Sequence, residues 1–173
     1  MQEYDLHKLM NSKELLSERI QYFTEKSILK NQDVDKEEIK GHLLKAEHNL
    51  RFATTLSEEF LDWVIAACYY SSYHAAIALL LTKGFSSKNH LATLCILIRE
   101  FYGNGLNKED ITALSQLLDY KDILFYVESK NKREHATYSA KIAFDKKDVD
   151  PLKMKAALFV SKIKTLLKGT GYN

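Results

Sequence analysis

Trp63-Val64-Ile65-Ala66-Ala67-Cys68-Tyr69-Tyr70-Ser71-Ser72-Tyr73-His74-Ala75-Ala76-Ile77-Ala78-Leu79-Leu80-Leu81-Thr82 is a run of twenty residues without Asp, Glu, Lys or Arg. Its length would cross a bilayer. Its content argues for a buried helix instead. Ser71, Ser72, His74 and three tyrosines interrupt it, and polar groups at that density are costly in hydrocarbon. A helix that is apolar nearly all round belongs at the centre of a bundle, with the other elements packed on it. The run therefore predicts a central helix over about Glu59 to Lys83, closed by Gly84.

Working outward, four of the five remaining glycines also fall where helices stop. Gly103 and Gly105 follow Phe101 and Tyr102, and Gly169 and Gly171 follow Leu166 and Leu167. A first segment, about Ser12 to Leu29, places Leu15, Leu16, Ile20, Phe23 and Ile28 at helical spacing, and Asn31 to Asp35 reads as a polar connector. About Asp35 to Leu56 forms the next helix, with Ile39, Leu43, Ala46, Leu50 and Ala53 on one stripe and an unfavourable Gly41 inside it. After the central helix, one capped by Ser86 or Ser87 runs to Phe101. Another starts at Asn107, with Glu109 and Asp110 in its first turn, where negative charge suits the helix dipole. No Gly or Pro occurs from Ile111 to Tyr138, although the polar stretch Ser129 to Glu134 predicts a break or an exposed turn. The last helix is predicted to start at Asp150-Pro151, with Asp as cap and Pro at the first helical position.

The composition agrees. A chain of 173 residues, 46% apolar, can bury one substantial core, and one proline with six glycines leaves almost no turn chemistry for an all-β or collagen-like chain. The fold class is all-α: an antiparallel helical bundle of four to five core helices over residues 35–170, with an extra N-terminal helix in residues 1–34. Cys68 and Cys95 lie in apolar runs without a CxxC or a ligand set, which supports neither a disulfide framework nor a zinc site. Met1 to Met10 carries Glu3, Asp5 and Lys8 and no apolar core of a signal peptide, so a cytoplasmic location is predicted. The net charge of +2 is too small to name a partner by itself. It is unevenly spread, however. Residues 121–173 hold 12 Lys and Arg against 6 Asp and Glu, and residues 1–120 hold 13 against 17, so the two parts carry +6 and −4. Basic charge in the last third is suited to phosphate, although lysine-rich helix faces are commonly just solvated.

Amphipathicity does not explain the detail of the central run. Tyr69, Tyr70, His74, Ala75, Ala76, Ala78, Leu79 and Leu80, followed by Lys88 and His90 and later by Arg133, Ala136 and Tyr138, form an ordered set that resembles the HEPN family over about residues 36–167. The resemblance implies a short helical bundle that dimerises, and a minimal nucleotidyltransferase as partner in a toxin–antitoxin pair. Active members are metal-independent ribonucleases that need no cofactor, with a motif of Arg, four to six residues, then His. Here the nearest match is Lys130-Asn131-Lys132-Arg133-Glu134-His135, and Thr137 stands where the family's late motif has Asp.

That departure bears on chemistry. Cleaving RNA without a metal needs a group to take the 2′-OH proton, a donor to the leaving 5′-oxygen, and cations on the phosphorane oxygens. His135 suits the proton work. Lys130 offers a point charge where Arg would offer a planar fork, and Arg133, two residues from His135, points to another helix face. The catalytic candidates are thus Lys130, Asn131, Arg133 and His135, and Tyr138 is the candidate for nucleotide attachment by the partner. Tyr70, His74, Lys88 and His90 are candidates for nucleotide or phosphate binding. Each has a plainer account: His74 as a core histidine bonded to a backbone or tyrosine oxygen, Lys88 and His90 as solvated cap residues, the tyrosines as core and interface. Ser71 lacks a nucleophile elbow, and His42 and His48 share no i, i+4 spacing, so neither a hydrolase triad nor a helical two-His metal site is supported. Beside the ribonuclease, the alternative is a non-catalytic helical module that binds a nucleotide or a partner protein.

Overall fold

The structure, a computed structural model, describes residues 3–119, 144–169 and 171. Two short helices open the chain where the sequence pattern predicts one. The first, α1, is Glu3–Asn11 and the second, α2, is Lys13–Glu25, separated at Ser12, whose Oγ accepts from the Leu15 amide at 3.2 Å. Helix α2 stops short of Leu29. Ser27 takes a left-handed φ of 54°, its amide donates to Thr24 O, and the Ile28 amide donates to Phe23 O, a closure that turns the chain out of the helix. Leu29–Asn31 then runs extended as β1.

Asp35 caps α3, Lys36–Thr55, by accepting from the amides of Glu37 and Glu38. A single 3-10 turn, Glu58–Phe60, leads into α4, Leu61–Leu81. Gly84, at φ 71°, turns the chain into β2, Phe85–Ser87, which pairs antiparallel with β1 in the register Leu29 with Ser87, Lys30 with Ser86 and Asn31 with Phe85. The Gly84 carbonyl accepts from Gln32, and a Cβ at Gly84 would lie 3.0 Å from the Gln32 carbonyl, so the junction needs glycine on both counts. Helix α5 is His90–Phe101. Its cap is Asn89, whose Oδ1 accepts from the Ala92 amide at 3.0 Å, whereas Ser86 and Ser87, the predicted caps, lie in β2. Strand pairing carries the backbone extended through Ser87, so the first residue free to cap is two positions later.

Helix α6, Lys108–Asp119, is capped reciprocally by Asn107 and Asp110, each side chain accepting from the other's amide. The last helix, α7, is Lys146–Gly169 and begins a turn earlier than predicted, because Asp145 and not Asp150 caps it: its Oδ1 accepts from the Lys147 amide at 3.1 Å. Pro151 therefore sits inside the helix, on its exposed side. There the carbonyl of the exposed Lys147, left without a helical donor, faces solvent.

Three ion pairs and one hydrogen bond between elements give the directions. Lys146 meets Glu58 and Lys164 meets Glu47, so α7 runs antiparallel to α3 and parallel to α4; Lys162 meets Asp110 and Lys155 meets Gln116, so α6 is antiparallel to α7. The main core gathers Ile39, Leu80, Ile96, Ile111 and Ile163 with Leu6, Ile20, Phe23 and Leu29, so the N-terminal segment shares one core with the bundle. A smaller cluster joins the first half of α4 to the first half of α7 through Ile65, Cys68, Val149 and Leu152. The long apolar helix is clad by its neighbours: 83% of its most apolar stretch is buried inside the protein.

Candidate functional site

Helix α4 sets out side chains at four-residue spacing, and Tyr69, Tyr73, Ile77 and Leu81 share one stripe. The last three line a cavity of about 610 Å³ between α3, α4 and the β1–β2 pair. Its other walls include Ile28 and Lys30 from the N-terminal segment, Glu38 and His42 from α3, and Lys88 at the approach to α5. A volume of that order suits a small organic ligand.

Above the cavity the aromatic rings are tightly grouped. Tyr69 and Tyr73 are stacked, 6.0 Å between centroids and 2° between planes. His90, the first residue of α5, stands edge-on to both, at 5.5 Å from Tyr69 and 5.3 Å from Tyr73, and its Nε2 lies 2.8 Å from the Tyr69 hydroxyl. The N-terminal turn of α5 is held by Asn89 and by Ser87, whose Oγ accepts from the Asn89 amide, so the position of His90 is fixed by backbone capping as well as by Tyr69. Burial pushes the Tyr73 phenol above its ordinary pKa.

A second polar pair lies between α3 and α4. Nδ1 of His42 is 3.0 Å from Nδ1 of His74, with the rings 5.0 Å apart. Such a contact is a hydrogen bond only when one Nδ1 carries a proton and the other does not, so the two imidazoles hold opposite tautomers at that atom. Burial lowers the pKa of both. His74 is pushed down to about 4 by burial first, then by His42 and Lys45; for His42 the effect of burial is partly offset by Glu38. Both rings are therefore neutral near pH 7, donors and acceptors for protons and not fixed cations.

Of the predicted binding residues, Lys88 lines the cavity, His90 reaches it through Tyr69 and Tyr73, and His74 reaches it through His42. His74 is bonded to a histidine and not to the predicted backbone or tyrosine oxygen, since α3 places His42 opposite it. Tyr70 stands apart, exposed and edge-on to Tyr69 at 4.9 Å, outside the cavity lining. Lys130, Asn131, Arg133, His135 and Tyr138 lie outside the described residues. The pattern of the sequence overlooked His42, because its partner is 32 residues away on another helix and no single-helix spacing reveals it. It also overlooked Lys30 and Tyr73. Four-residue spacing from Tyr69 through Tyr73 to Ile77 was a signal for the last. Cys68 and Cys95 are free and buried, with thiols pushed up to about 11 and about 12 chiefly by burial, so neither offers a nucleophilic thiolate near neutrality.

Comparison with known proteins places this geometry in a lineage. The chain is similar to two proteins of Methanocaldococcus jannaschii. One, named "Putative toxin MJ0142", is 32% identical over 133 residues, covering 76% of this chain and 83% of the relative; the other, named "Putative toxin MJ0605", is 31% identical over 141 residues, covering 81% and 96%. The model of the HEPN domain matches residues 39–164, from the middle of the first turn of α3 to the last turns of α7. With most of the chain matched, and with a framework that is helical but for one short strand pair, the protein belongs to the HEPN domain family.

Proposed function

We propose that this chain is the toxin-like member of a two-component pair and acts on RNA, as a metal-independent endoribonuclease. The observation that carries the proposal is the exposed Lys88 at a cavity floored by Tyr73, beside the neutral imidazoles of His42 and His74 and the ring of His90, in a chain whose relatives are named toxins. A cation, an aromatic face and groups able to exchange protons are the chemistry that binding and cleaving a phosphodiester without a metal requires. In the cleavage step the 2′-oxygen loses its proton and attacks phosphorus, the bond to the 5′-oxygen breaks, and that oxygen takes a proton. The products are a 2′,3′-cyclic phosphate and a 5′-hydroxyl end. His135 serves as acid or base, Lys130 and Arg133 neutralise the phosphorane oxygens, and Asn131 positions the phosphate. A basic segment from residue 121 onward, at +6, supports binding to a polyanion.

The proposed assembly is a homodimer beside a minimal nucleotidyltransferase, for which Tyr138 is the acceptor of a nucleotidyl group. Met154 and Leu158, one turn apart on α7 and each 66% exposed, supply an apolar patch of the kind a second subunit covers. The test is cleavage of structured RNA in EDTA by the wild type and by His135→Ala. Cleavage by the wild type alone supports the ribonuclease. Equal cleavage by both, or none by either, removes it and leaves a non-catalytic binding module.

A further inference from the structure

The two imidazoles between α3 and α4 meet through the same atom of each ring. Nδ1 of His42 and Nδ1 of His74 are 3.0 Å apart while the ring centroids stand 5.0 Å apart, so the two nitrogens are aimed at one another. Two imidazole nitrogens on one tetrahedral zinc ion, each bonded at about 2.0–2.1 Å, are about 3.3–3.4 Å apart. An adjustment of about 0.3–0.4 Å, with a tilt of the rings, therefore converts the hydrogen-bonded pair into a chelate. The backbone holds the two residues ready for it. One turn along, Ser71 Oγ donates to the Ala46 carbonyl at 2.8 Å, which ties α4 to α3 and sets the spacing of the helices at the pair.

The surroundings decide which cation suits the pair. Burial keeps both rings neutral near pH 7. One Nδ1 carries the proton of the hydrogen bond; when that proton leaves and Nε2 of the same ring takes one up, both Nδ1 lone pairs are free and the net proton count is unchanged. Of the nearby charges, Glu38, one turn before His42, attracts a cation and Lys45 repels one. Attraction then comes from coordination, and imidazole nitrogen favours zinc, nickel and copper over magnesium and calcium, which take oxygen. His42 and Glu38 line the cavity of about 610 Å³, which gives an ion an entrance and leaves room for water ligands. Glu38 Oε2 accepts from Gln32 Nε2 at 2.8 Å, which orients the carboxylate at that wall. Among the described residues no third His, Cys, Asp or Glu joins the pair, so the protein supplies two ligands and water the rest.

We propose that His42 and His74 bind one divalent ion of the zinc, nickel and copper class through their Nδ1 atoms, with water completing the coordination, and that the ion clamps α3 to α4 beside the cavity. The ion takes part in no step proposed for His135, Lys130, Arg133 and Asn131. The RNA-cleavage test is run in EDTA, with the ion removed, so either proposal can fail without the other.

Titration of the metal-stripped full chain with zinc, in competition with a chromophoric chelator, tests the site. One zinc ion per chain is expected at micromolar affinity. His42→Gln and His74→Gln are each expected to weaken it at least tenfold, whereas His48→Gln, at an exposed position of α3 outside the pair, leaves it unchanged. Millimolar magnesium is expected not to compete. Saturating zinc is expected to raise the melting temperature of the wild type and of neither variant of the pair, as a clamp between two helices requires. Either substitution also removes a hydrogen bond between α3 and α4, so ring-nitrogen NMR of the wild type supplies a reading that needs no variant. Zinc is expected to move the Nδ1 resonances of two of the six histidines and to leave Nε2 of both protonated. No zinc bound below millimolar concentration, an unaltered affinity in His42→Gln or His74→Gln, an unmoved melting temperature, or resonance shifts confined to other histidines would overturn the proposal.

Discussion

Two adjacent stripes of α4 differ by one residue in register and in almost everything else. Cys68, Ser72, Ala76 and Leu80 form one, each with no exposed surface, enclosed by the rest of the bundle. Tyr69, Tyr73, Ile77 and Leu81 form the other, whose rings meet His90 edge-on and whose last three residues line the cavity. A rotation of about 100° around the helix axis separates the fully enclosed stripe from the one at the cavity. The buried stripe has three small residues, Cys68, Ser72 and Ala76, followed by Leu80, and small side chains let neighbouring helices approach closely. The other stripe needs rings, because a ring covers the cavity floor, bonds at its rim and keeps a flat face for a ligand. One uncharged run of sequence therefore does both jobs.

The largest expected effect breaks this contrast directly. Leu80→Ala removes a fully buried side chain from the middle of the main core, where closely packed neighbours have little room to collapse, and is expected to cost about 2–5 kcal/mol in chemical denaturation. Tyr73→Phe on the neighbouring stripe keeps the ring and removes a half-buried hydroxyl, at a cost under about 1 kcal/mol. Similar losses from the two substitutions would show that both stripes are packing surface, and the separation would not hold.

A smaller effect comes from the imidazole pair beside the second stripe. His42 and His74 are kept neutral in the folded protein, with His74 lowered to about 4, and the unfolded chain returns each to its ordinary 6.5. Between those values the unfolded state binds more protons than the folded one, so stability is full above pH 6.5 and falls as pH drops toward 4. Both rings are half-exposed and solvent screens the penalty, so the loss from the pair is about 1–2 kcal/mol. The melting temperature followed from pH 7.5 to 4.5 is expected to decline less steeply in the His42→Gln, His74→Gln double variant than in the wild type. Identical slopes would assign the acid sensitivity to other groups.

What could be seen in the sequence divides along the same line as the stripes. Hydropathy and spacing identify the central helix, the ends at Gly84 and Gly103 and the all-helical class, because burial of a helix face depends on residues close in sequence. They do not show that Leu29–Asn31 turns away from α2, since a left-handed Ser27 and a pairing with residues 85–87 are not helical-periodicity signals. Nor do they show that Lys30 and Lys88 line one cavity or that His42 meets His74, pairings of residues 58 and 32 positions apart. Lys88, His74 and His90 were legible only through their likeness to a family pattern, whereas Lys30 lies outside that pattern.

The smallest effect tests whether a polar group on the packing stripe has any purpose. Most polar side chains of the central run have a use: Ser71 Oγ donates to the Ala46 carbonyl at 2.8 Å and ties α4 to α3, His74 meets His42, and Tyr69 meets His90. Ser72 is the exception, its Oγ fully buried with no hydrogen-bond partner among the described residues. A hydroxyl in that state has lost its water and gained nothing, so Ser72→Ala is expected to stabilise the fold by about 1 kcal/mol, while Ser71→Ala, which removes a buried hydrogen bond between α4 and α3, destabilises it by about 1 kcal/mol. The cavity is lined by the neighbouring stripe, so the substitution is expected to act on stability alone. A loss of stability in Ser72→Ala would mean that the hydroxyl is bonded after all.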